Sequence, residues 1–364
     1  MRIAIDGHTL EIDKWSGKEQ YLFSLLKSLL KLKTADKFLL YLRHPVPAIK
    51  NLNFSNLIIR QKKLPTPLWH FWALFDFKKT QAEKLLAPCS YLISAINFLI
   101  PEIIVIHDLT SFLKESRNTH KLSLKIKEYL SLYLSCLKAE TIISLSENTK
   151  KDITRIFKIN PAKIKTIYQG HRFSREIATR KEKPNPIIIS VGTIEPRKNI
   201  PTIIKAFELL KARRTDVPWK LLIIGKIGWK AEESVLAIKK SLYADDIELR
   251  GYIDNQELSV IYSSSLCLVY PSLYEGFGLP PLEAMFFGCP AIVSDNSSLP
   301  EVVGESGLKV ACLDYQKISK IIESLWDNPD LRKKIEISGN EQAKKFNWDV
   351  AAGKVLNIIK TKNI

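Results

Sequence analysis

Residues 271–288 read PSLYEGFGLPPLEAMFFG and decide the interpretation of the whole chain. They follow the apolar run Leu266–Tyr270, which predicts a buried strand, and they lead into a short helical pattern. Pro280 and Pro281 fit the first turn of that helix, where a missing N–H group costs nothing and the fixed φ is already suitable. The pattern predicts a strand, a loop and a helix N-terminus, an arrangement that attracts anions.

Two carboxylates bracket the loop. Glu275 precedes Gly276 and Gly278, and Glu283 follows Glu275 by eight positions, in what we expect to be the first turn of the helix. Carboxylates accept hydrogen bonds from hydroxyl groups, so two of them beside a phosphate site suit a sugar nucleotide. For each residue alone an ordinary structural role is the alternative: Glu283 complements the helix dipole, Glu275 is solvated, and the glycines make a turn.

Residues 271–307 resemble the Glu-x7-Glu signature of the retaining GT-B glycosyltransferases of family 4, which includes bacterial mannosyltransferase-like and sucrose-synthase-like enzymes. The resemblance implies an α/β chain with two Rossmann-like, doubly wound parallel-sheet domains that face a central cleft. It implies that Glu275 is catalytic and holds the donor sugar, and that Glu283 holds the ribose hydroxyls. The donor-binding residues that it implies in this loop are Gly276, Phe277, Gly278 and Leu279.

A second loop, residues 192–199, follows the apolar strand Ile187–Val191 and reads GTIEPRKN. A glycine turn, two cations and a helix N-terminus after one strand suit a diphosphate, although two basic residues in a loop are usually only solvated. The loop resembles the phosphate clamp of the same family, which implies that Arg197 and Lys198 bind the donor pyrophosphate. The family resemblance also places Gly251, Tyr252 and Ile253 against the nucleobase.

The first half of the chain carries weaker motifs. His107 and Asp108 follow the apolar strand Ile103–Ile106, and an isolated pair of this kind is more often a helix cap or a satisfied hydrogen-bond pair. The pair resembles the family's His-Asp-Leu motif, which implies that His107 is catalytic and faces the donor sugar. The loop after the first strand has no G-x-G-x-x-G, and its partial resemblance to the family transfers only Gly17 to the donor phosphates.

Strand and helix patterns alternate through both halves, which predicts βαβ units and parallel sheets. The charged, proline-punctuated segment Tyr168–Pro186 predicts a linker. We therefore expect an acceptor-side domain over residues 1–175 and a donor-binding domain over residues 176–345. Residues 346–364 resemble the C-terminal helix that crosses back to the first domain in GT-B proteins. The run Tyr91–Ser94 is predicted as a strand.

Basic residues are concentrated in the first half. The net charge of the 364 residues is +17, with 30 Lys and Arg against 15 Asp and Glu in residues 1–180, and 25 against 23 in residues 181–364. Such an excess favours an anionic surface or ligand, and nucleic acid and anionic lipid both qualify, although a solvated surface is the alternative. The aromatic and lysine-rich segment Lys62–Lys79 fits either a membrane interface or an ordinary packed helix.

The sequence offers no secretory signal and no apolar tract long enough to span a membrane, and its five cysteines are typical of buried thiols in a cytosolic protein. We expect a cytoplasmic protein, with attachment to the inner face of the cell membrane as an option. No Asp-x-Asp motif is present, so we expect neither a metal nor another cofactor.

The resemblance implies a retaining hexosyltransferase of surface polysaccharide biosynthesis. Mannose from GDP-mannose is the favoured nucleotide-sugar donor, and a glycan or a lipid-linked molecule is the acceptor. A GT-B nucleotide-sugar epimerase is one alternative, but it should lack the Arg-Lys-Asn loop beside Glu-x7-Glu. A non-catalytic, basic nucleic-acid-binding protein is the other, but no reading motif is visible, so no nucleic-acid partner is expected.

Overall fold

Two parallel β-sheets organise the chain. The structure is a computed structural model, and it describes residues 1–11, 15, 17–89, 91–113, 122–173, 180 and 182–361. The chain divides into two compact units. So far as they are described, unit 1 comprises Met1–Leu109, His120–Gly170 and Phe346–Ile364, and unit 2 comprises Thr110–Thr119 and His171–Lys345.

Unit 1 contains a seven-stranded sheet in the order β3-β2-β1-β4-β5-β6-β7, with every pair of neighbours parallel. Its strands are β1 (Arg2–Asp6), β2 (Lys37–Leu42), β3 (Leu57–Gln61), β4 (Lys84–Ala87), β5 (Glu102–Ile106), β6 (Thr141–Ser144) and β7 (Ile164–Thr166). Its helices up to Gly170 are α1 (Gly17–Lys31), α2 (Pro47–Lys50), α3 (Thr66–Thr80), α4 (Leu92–Ile96), α5 (Leu122–Lys138) and α6 (Glu147–Phe157).

Unit 2 contains a six-stranded sheet in the order β10-β9-β8-β11-β12-β13, again with parallel neighbours. Its strands are β8 (Asn185–Val191), β9 (Lys220–Ile224), β10 (Ile247–Arg250), β11 (Ser265–Tyr270), β12 (Ala291–Ser294) and β13 (Leu308–Val310). Its helices are α7 (Ile200–Arg213), α8 (Glu232–Lys240), α9 (Asn255–Ser264), α10 (Leu279–Phe286), α11 (Leu299–Val303), α12 (Tyr315–Asp327) and α13 (Pro329–Lys344).

The C-terminal helix α14 (Trp348–Lys360) packs on α1 within unit 1. The Ser28 hydroxyl donates to Asp349 Oδ1 at 2.9 Å, and the rings of Tyr21 and Trp348 meet edge to face at 5.3 Å. The leucines that recur at helical spacing on α1 are buried, at Leu22, Leu25, Leu26, Leu29 and Leu30. The apolar faces of both helices are therefore covered within one unit.

The sequence prediction is wrong around β4. Tyr91–Ser94 does not form a strand, because α4 begins at Leu92, and the strand between β1 and β5 is the short run Lys84–Ala87. A lysine at its start hides this strand from a search for apolar runs. The Lys84 ammonium contacts Glu140 Oε2 at 2.8 Å and donates to the Thr361 carbonyl at 3.0 Å, which compensates its burial.

The segment Lys62–Lys79 lies mostly in α3, where Trp69 and Phe77 are buried while Leu68, Phe71 and Phe75 are exposed. Part of the predicted linker, residues 174–179 and 181, lies outside the described residues. In the part of the chain that is described, no helix combines the length and the apolarity that crossing a membrane requires.

Candidate active site

The strands of unit 2 all run in the same direction, which brings four of the loops that follow them to one edge of the sheet. Gly192, Gly225, Gly251 and Pro271 directly follow the strands β8, β9, β10 and β11. The strand order reverses direction between β8 and β11, and open α/β sheets bind ligands in the crevice at such a switch point. The loops that the sequence singled out, 192–199 and 271–278, are the two at this position.

Glu275 is the centre of the site because two cations hold it. Lys198 Nζ lies 2.7 Å from Glu275 Oε1, and Arg197 Nη1 lies 2.5 Å from Glu275 Oε2. Lys198 also donates a hydrogen bond to the Tyr270 hydroxyl, and Arg197 Nη1 donates to the Tyr274 carbonyl at 3.1 Å. The structure thus brings together three residues that the sequence assigned to one donor site.

Burial and charge act against each other in this cluster. Burial alone would raise the pKa of the Glu275 carboxyl, but Arg197 and Lys198 lower it to about 2. Burial, with Arg197 beside it, lowers the pKa of Lys198 to about 8 despite the contact with Glu275. Glu275 is therefore a permanent negative charge at neutral pH, whereas Lys198 titrates only slightly above it.

The loop that carries both cations is fixed to the loop that carries Glu275. The amide of Asn199 donates to the carbonyls of Pro271 at 3.1 Å and Cys312 at 2.6 Å, and the backbone N–H of Leu273 donates to the Arg197 carbonyl at 2.8 Å. Asn199 itself adopts the left-handed conformation with φ of 57°. Asparagine tolerates this conformation better than most residues.

A run of polar residues after β12 supports the Glu275 loop from behind, and the sequence analysis gave it no role. Ser297 Oγ accepts a hydrogen bond from the Glu275 N–H at 3.0 Å. Ser298 Oγ donates to the carbonyls of Glu275 and Phe277, at 3.0 and 2.7 Å. The signal that could have found this support is a polar Asn-Ser-Ser run at the carboxyl end of a strand beside the site.

The glycine loop leads directly into α10. Gly278 caps the helix with φ of +111°, a backbone conformation that favours glycine, and a Cβ there would lie 2.7 Å from Leu299 Cδ2, so that leucine would have to shift. Gly276 and Phe277 are buried, and Leu279 is half-buried. The prolines at 280 and 281 stand in the first turn as predicted, but no acidic residue does. The prediction that Glu283 lies in the first turn is wrong: the helix begins at Leu279, which places Glu283 in its second turn.

Glu283 is fully buried beside a residue that the sequence analysis placed in the linker. Arg172 Nε lies 2.8 Å from Glu283 Oε1, and Arg172 Nη2 donates to Oε2 at 3.1 Å, where the Tyr262 hydroxyl also donates at 3.4 Å. Burial raises the pKa of Glu283, and Arg172 offsets this only in part. Oε1 is buried yet accepts no well-aligned hydrogen bond from the described residues. It therefore retains the capacity to accept one.

The predicted nucleobase segment lies at the same edge of the sheet, after β10. Gly251 and Tyr252 are exposed, and Ile253 is half-buried. The Gly251 carbonyl accepts a hydrogen bond from the Gly225 N–H at 3.1 Å. A side chain on Gly251 would meet nothing within 4 Å, so packing does not require glycine here.

His107 belongs to unit 1, where it follows β5. Its Nε2 lies 2.8 Å from the Pro88 carbonyl, and its ring meets Tyr21 edge to face at 4.7 Å. Burial, with Lys18 nearby, lowers the pKa of His107 to about 4, so the imidazole is neutral at pH 7. The Pro88 carbonyl can only accept a hydrogen bond, so Nε2 of His107 carries the proton. In the neutral imidazole the other nitrogen, Nδ1, is then a hydrogen-bond acceptor.

Gly17 is the first residue of α1 and is exposed, with open space around its Cβ position. Ser16, which precedes it in the predicted donor loop, lies outside the described residues. Across the described ranges, no group of three or more His, Cys, Asp or Glu side chains is placed to hold a metal ion.

Comparison with known proteins decides the family. Residues 172–342 match the family described as "Glycosyl transferases group 1". The chain is 30% identical over 321 residues to the O-antigen chain mannosyltransferase B of Escherichia coli, which covers 84% of this chain and 80% of that protein. The chain belongs to the group 1 glycosyltransferases.

Solved structures agree on the fold of this glycosyltransferase. Sucrose-phosphate synthase from Thermosynechococcus elongatus aligns with a TM-score of 0.76 and 19% identity over 99% of this chain and 98% of its own. Alr3699/HepE of Anabaena, solved in complex with UDP and glucose, aligns with a TM-score of 0.78 and 14% identity over 99% of each chain. The predicted α/β GT-B fold with two Rossmann-like parallel-sheet units is confirmed.

Proposed function

We propose that the enzyme transfers a hexose from a nucleotide sugar to a glycan or lipid-linked acceptor in surface polysaccharide biosynthesis, with retention of the anomeric configuration. One observation carries the proposal: Arg197, Lys198 and Glu275 converge at the switch point of the unit 2 sheet. Mannose from GDP-mannose is the favoured donor, because the E. coli relative is named a mannosyltransferase.

The cations suit the donor pyrophosphate. An ammonium has three donors, and within the described residues Lys198 uses them on Glu275 and Tyr270, which leaves one for a phosphate oxygen. Arg197 Nε donates to Glu195 Oε1 at 3.0 Å, and the Glu195 side chain is 27% exposed. We propose that a phosphate displaces this partly exposed carboxylate. The N-terminus of α10 adds further N–H donors that favour an anion.

Glu275 suits the reacting sugar. Departure of the nucleoside diphosphate leaves positive charge on the sugar ring, and a carboxylate that stays ionised at neutral pH stabilises that charge. The same low pKa makes Glu275 a poor general base. We therefore propose that the acceptor attacks from the face that the diphosphate leaves, and that the leaving phosphate takes the acceptor's proton.

Glu283 suits the ribose. Its buried Oε1 lacks a well-aligned hydrogen bond within the described residues, and a ribose hydroxyl supplies one. Because Glu283 is 1% exposed, Arg172 has to shift to admit the hydroxyl. The roles that the resemblance gives to the remaining residues stay predictions: His107 at the donor sugar, Gly17 at the phosphates, and Gly251, Tyr252 and Ile253 at the nucleobase. A neutral His107 with Nδ1 as acceptor is compatible with a sugar hydroxyl as its partner.

The proposal includes no metal, because Arg197 and Lys198 supply the positive charge at the leaving group.

Nucleotide release from a panel of GDP-, UDP- and ADP-sugars, with a mannose-terminated acceptor, tests the proposed function. We expect GDP-mannose to give the fastest acceptor-dependent release, with the rate unchanged by EDTA. Acceptor-dependent release from none of the donors would contradict transfer. A loss of activity in EDTA that a divalent ion restores would contradict metal independence.

Donor affinity should fall as the pH rises above about 8. The pKa of Lys198 in the free protein is lowered to about 8, and a phosphate binds the protonated form. The donor Kd should therefore be constant near pH 7 and rise by about tenfold per pH unit well above the pKa. The variant Lys198→Arg keeps its charge and should show no rise up to about pH 9. Calorimetry at several pH values measures both. A wild-type Kd that does not change over this range would contradict the role of Lys198.

A further inference from the structure

An apolar surface that the proposed function does not use covers part of unit 1. The helices α3, α4 and α5 connect β3 to β4, β4 to β5 and β5 to β6. All three connections advance through the sheet in the same direction, and right-handed crossovers place them on the same face. Helix α4 contacts both α3 and α5, so the three form one layer.

Large apolar side chains of this layer face solvent. On α5 the exposed residues recur at helical spacing, while Leu132 and Cys136 on the opposite side are buried. Phe75 on α3 is 71% exposed and Phe98, just after α4, is 83% exposed. We call the following set the docking surface: Leu68, Phe71, Phe75, Leu92, Phe98, Leu99, Ile126, Leu130, Leu134 and Leu137.

Lysines surround these apolar residues. Lys62 and Lys63 precede α3, Lys78 and Lys79 lie in its last turn, and Lys127 lies on α5, and all five are exposed. By contrast, the sequence of α3 contains one acidic residue, Asp76, which is buried and paired with Arg60. The sequence of α5 also contains one acidic residue, Glu128. The charge around the docking surface is therefore predominantly positive.

Two lysines show how such side chains behave beside the apolar groups. The Lys138 ammonium lies 3.7 Å from the centre of the Phe98 ring and also donates to the Ser94 carbonyl at 2.9 Å. The Lys62 ammonium lies 5.9 Å from the centre of the Trp72 ring. Cation–π contacts thus join lysine ammonium groups to aromatic rings in this part of unit 1.

We infer that the docking surface binds an anionic lipid bilayer. The aromatic and leucine side chains enter the boundary between headgroups and acyl chains, and the lysines contact lipid phosphates. A set of exposed apolar side chains on one helical layer also fits a protein partner, but lysine is depleted in the interfaces between proteins. The combination of lysine with Phe and Leu therefore favours the lipid surface.

Lipid binding is separate from catalysis and deepens the proposed function in one respect. If the acceptor is lipid-linked, which rests on the proposed function, the docking surface brings the enzyme to the bilayer that contains it. A test that uses neither donor nor acceptor keeps the two proposals distinguishable. A protein that binds vesicles but transfers no sugar would keep the docking surface and remove the transferase proposal.

Vesicle sedimentation of the full chain tests the inference. The docking variant combines Phe71→Ser, Phe75→Ser, Leu130→Ser and Leu134→Ser. The matched control combines Leu236→Ser, Leu242→Ser, Ile337→Ser and Val350→Ser, four apolar residues outside the docking surface that are 49–89% exposed, against 45–71% for the four in the docking variant. The wild type and the control should bind vesicles of phosphatidylcholine with about 30% phosphatidylglycerol equally. The docking variant should bind these vesicles at least about 100-fold more weakly than the wild type, because each large apolar side chain that enters the bilayer raises the affinity by about tenfold.

Charge is tested by a second variant, Lys62→Glu, Lys78→Glu and Lys127→Glu, which should lose about tenfold or more of its binding to anionic vesicles at low salt. Thermal melting establishes that each variant is folded. Equal binding by the docking variant and the control, or no binding of the wild type to anionic vesicles, would overturn the inference. The wild type could instead fail to bind vesicles and form a dimer that the docking variant cannot form. In that case the partner of the docking surface would be a second copy of the chain and not a bilayer.

Discussion

Replacing Glu275 with glutamine should lower kcat by about 10²-fold to 10³-fold while the donor Kd changes by less than about threefold. Glutamine keeps the size of the side chain but removes the negative charge that opposes the charge on the departing sugar. The ground-state donor has no such charge to stabilise, so the loss falls on the transition state. Steady-state kinetics for turnover and calorimetry for the donor separate the two quantities.

Glu195→Gln provides the matched control for this variant. Both carboxylates contact Arg197, but only Glu275 also contacts Lys198. We expect Glu195→Gln to keep kcat within about threefold of the wild type and to bind the donor slightly more tightly, because a competitor of the phosphate is weakened. Equal losses of kcat in both variants would remove Glu275 from its proposed role at the sugar.

Replacing both Arg197 and Lys198 with alanine should weaken donor binding by about 2–5 kcal/mol, which is about 30-fold to 4,000-fold in Kd. Each cation contributes a charge-assisted hydrogen bond to the pyrophosphate, and solvent compensates part of the loss. The double variant also leaves Glu275 buried without its partners, which destabilises the fold. Adding Glu275→Gln removes that uncompensated charge and separates binding from folding.

Calorimetry with the donor measures the effect in the double and the triple variant. The two should show the same large increase in Kd, and the triple variant should melt at a higher temperature than the double. A triple variant that binds the donor as tightly as the wild type would remove both cations from the pyrophosphate site.

Local patterns predicted much of the fold and the centre of the site. The apolar run Leu266–Tyr270 is β11, the prolines after the glycine loop begin α10, and Arg197, Lys198 and Glu275 meet as one cluster. Spacing and side-chain chemistry are sufficient for the strand and for the start of the helix, whereas the assignment of Arg197, Lys198 and Glu275 to one donor site came from the family resemblance. Their convergence across about 80 positions follows from the general rule that strand ends share an edge.

Other features depend on contacts that no local pattern records. Arg172 looked like a charged linker residue, yet its guanidinium is the partner of Glu283. Lys84 disguised the start of β4, because its charge is compensated by Glu140, far away in the sequence. The exposed leucines of α5 are indistinguishable in the sequence from core leucines, and only the packing of the layer shows which side faces solvent.

¹H NMR of the first-formed glycoside tests the central claim most directly, because the anomeric signals of donor and product report how the sugar was transferred. With an α-configured nucleotide sugar and an unlabelled acceptor, transfer with retention through the Arg197–Lys198–Glu275 site predicts an α-linked product from the earliest time point. A β-linked first product would contradict retention. It would require a base behind the sugar, a role for which the permanently ionised Glu275 is unsuited.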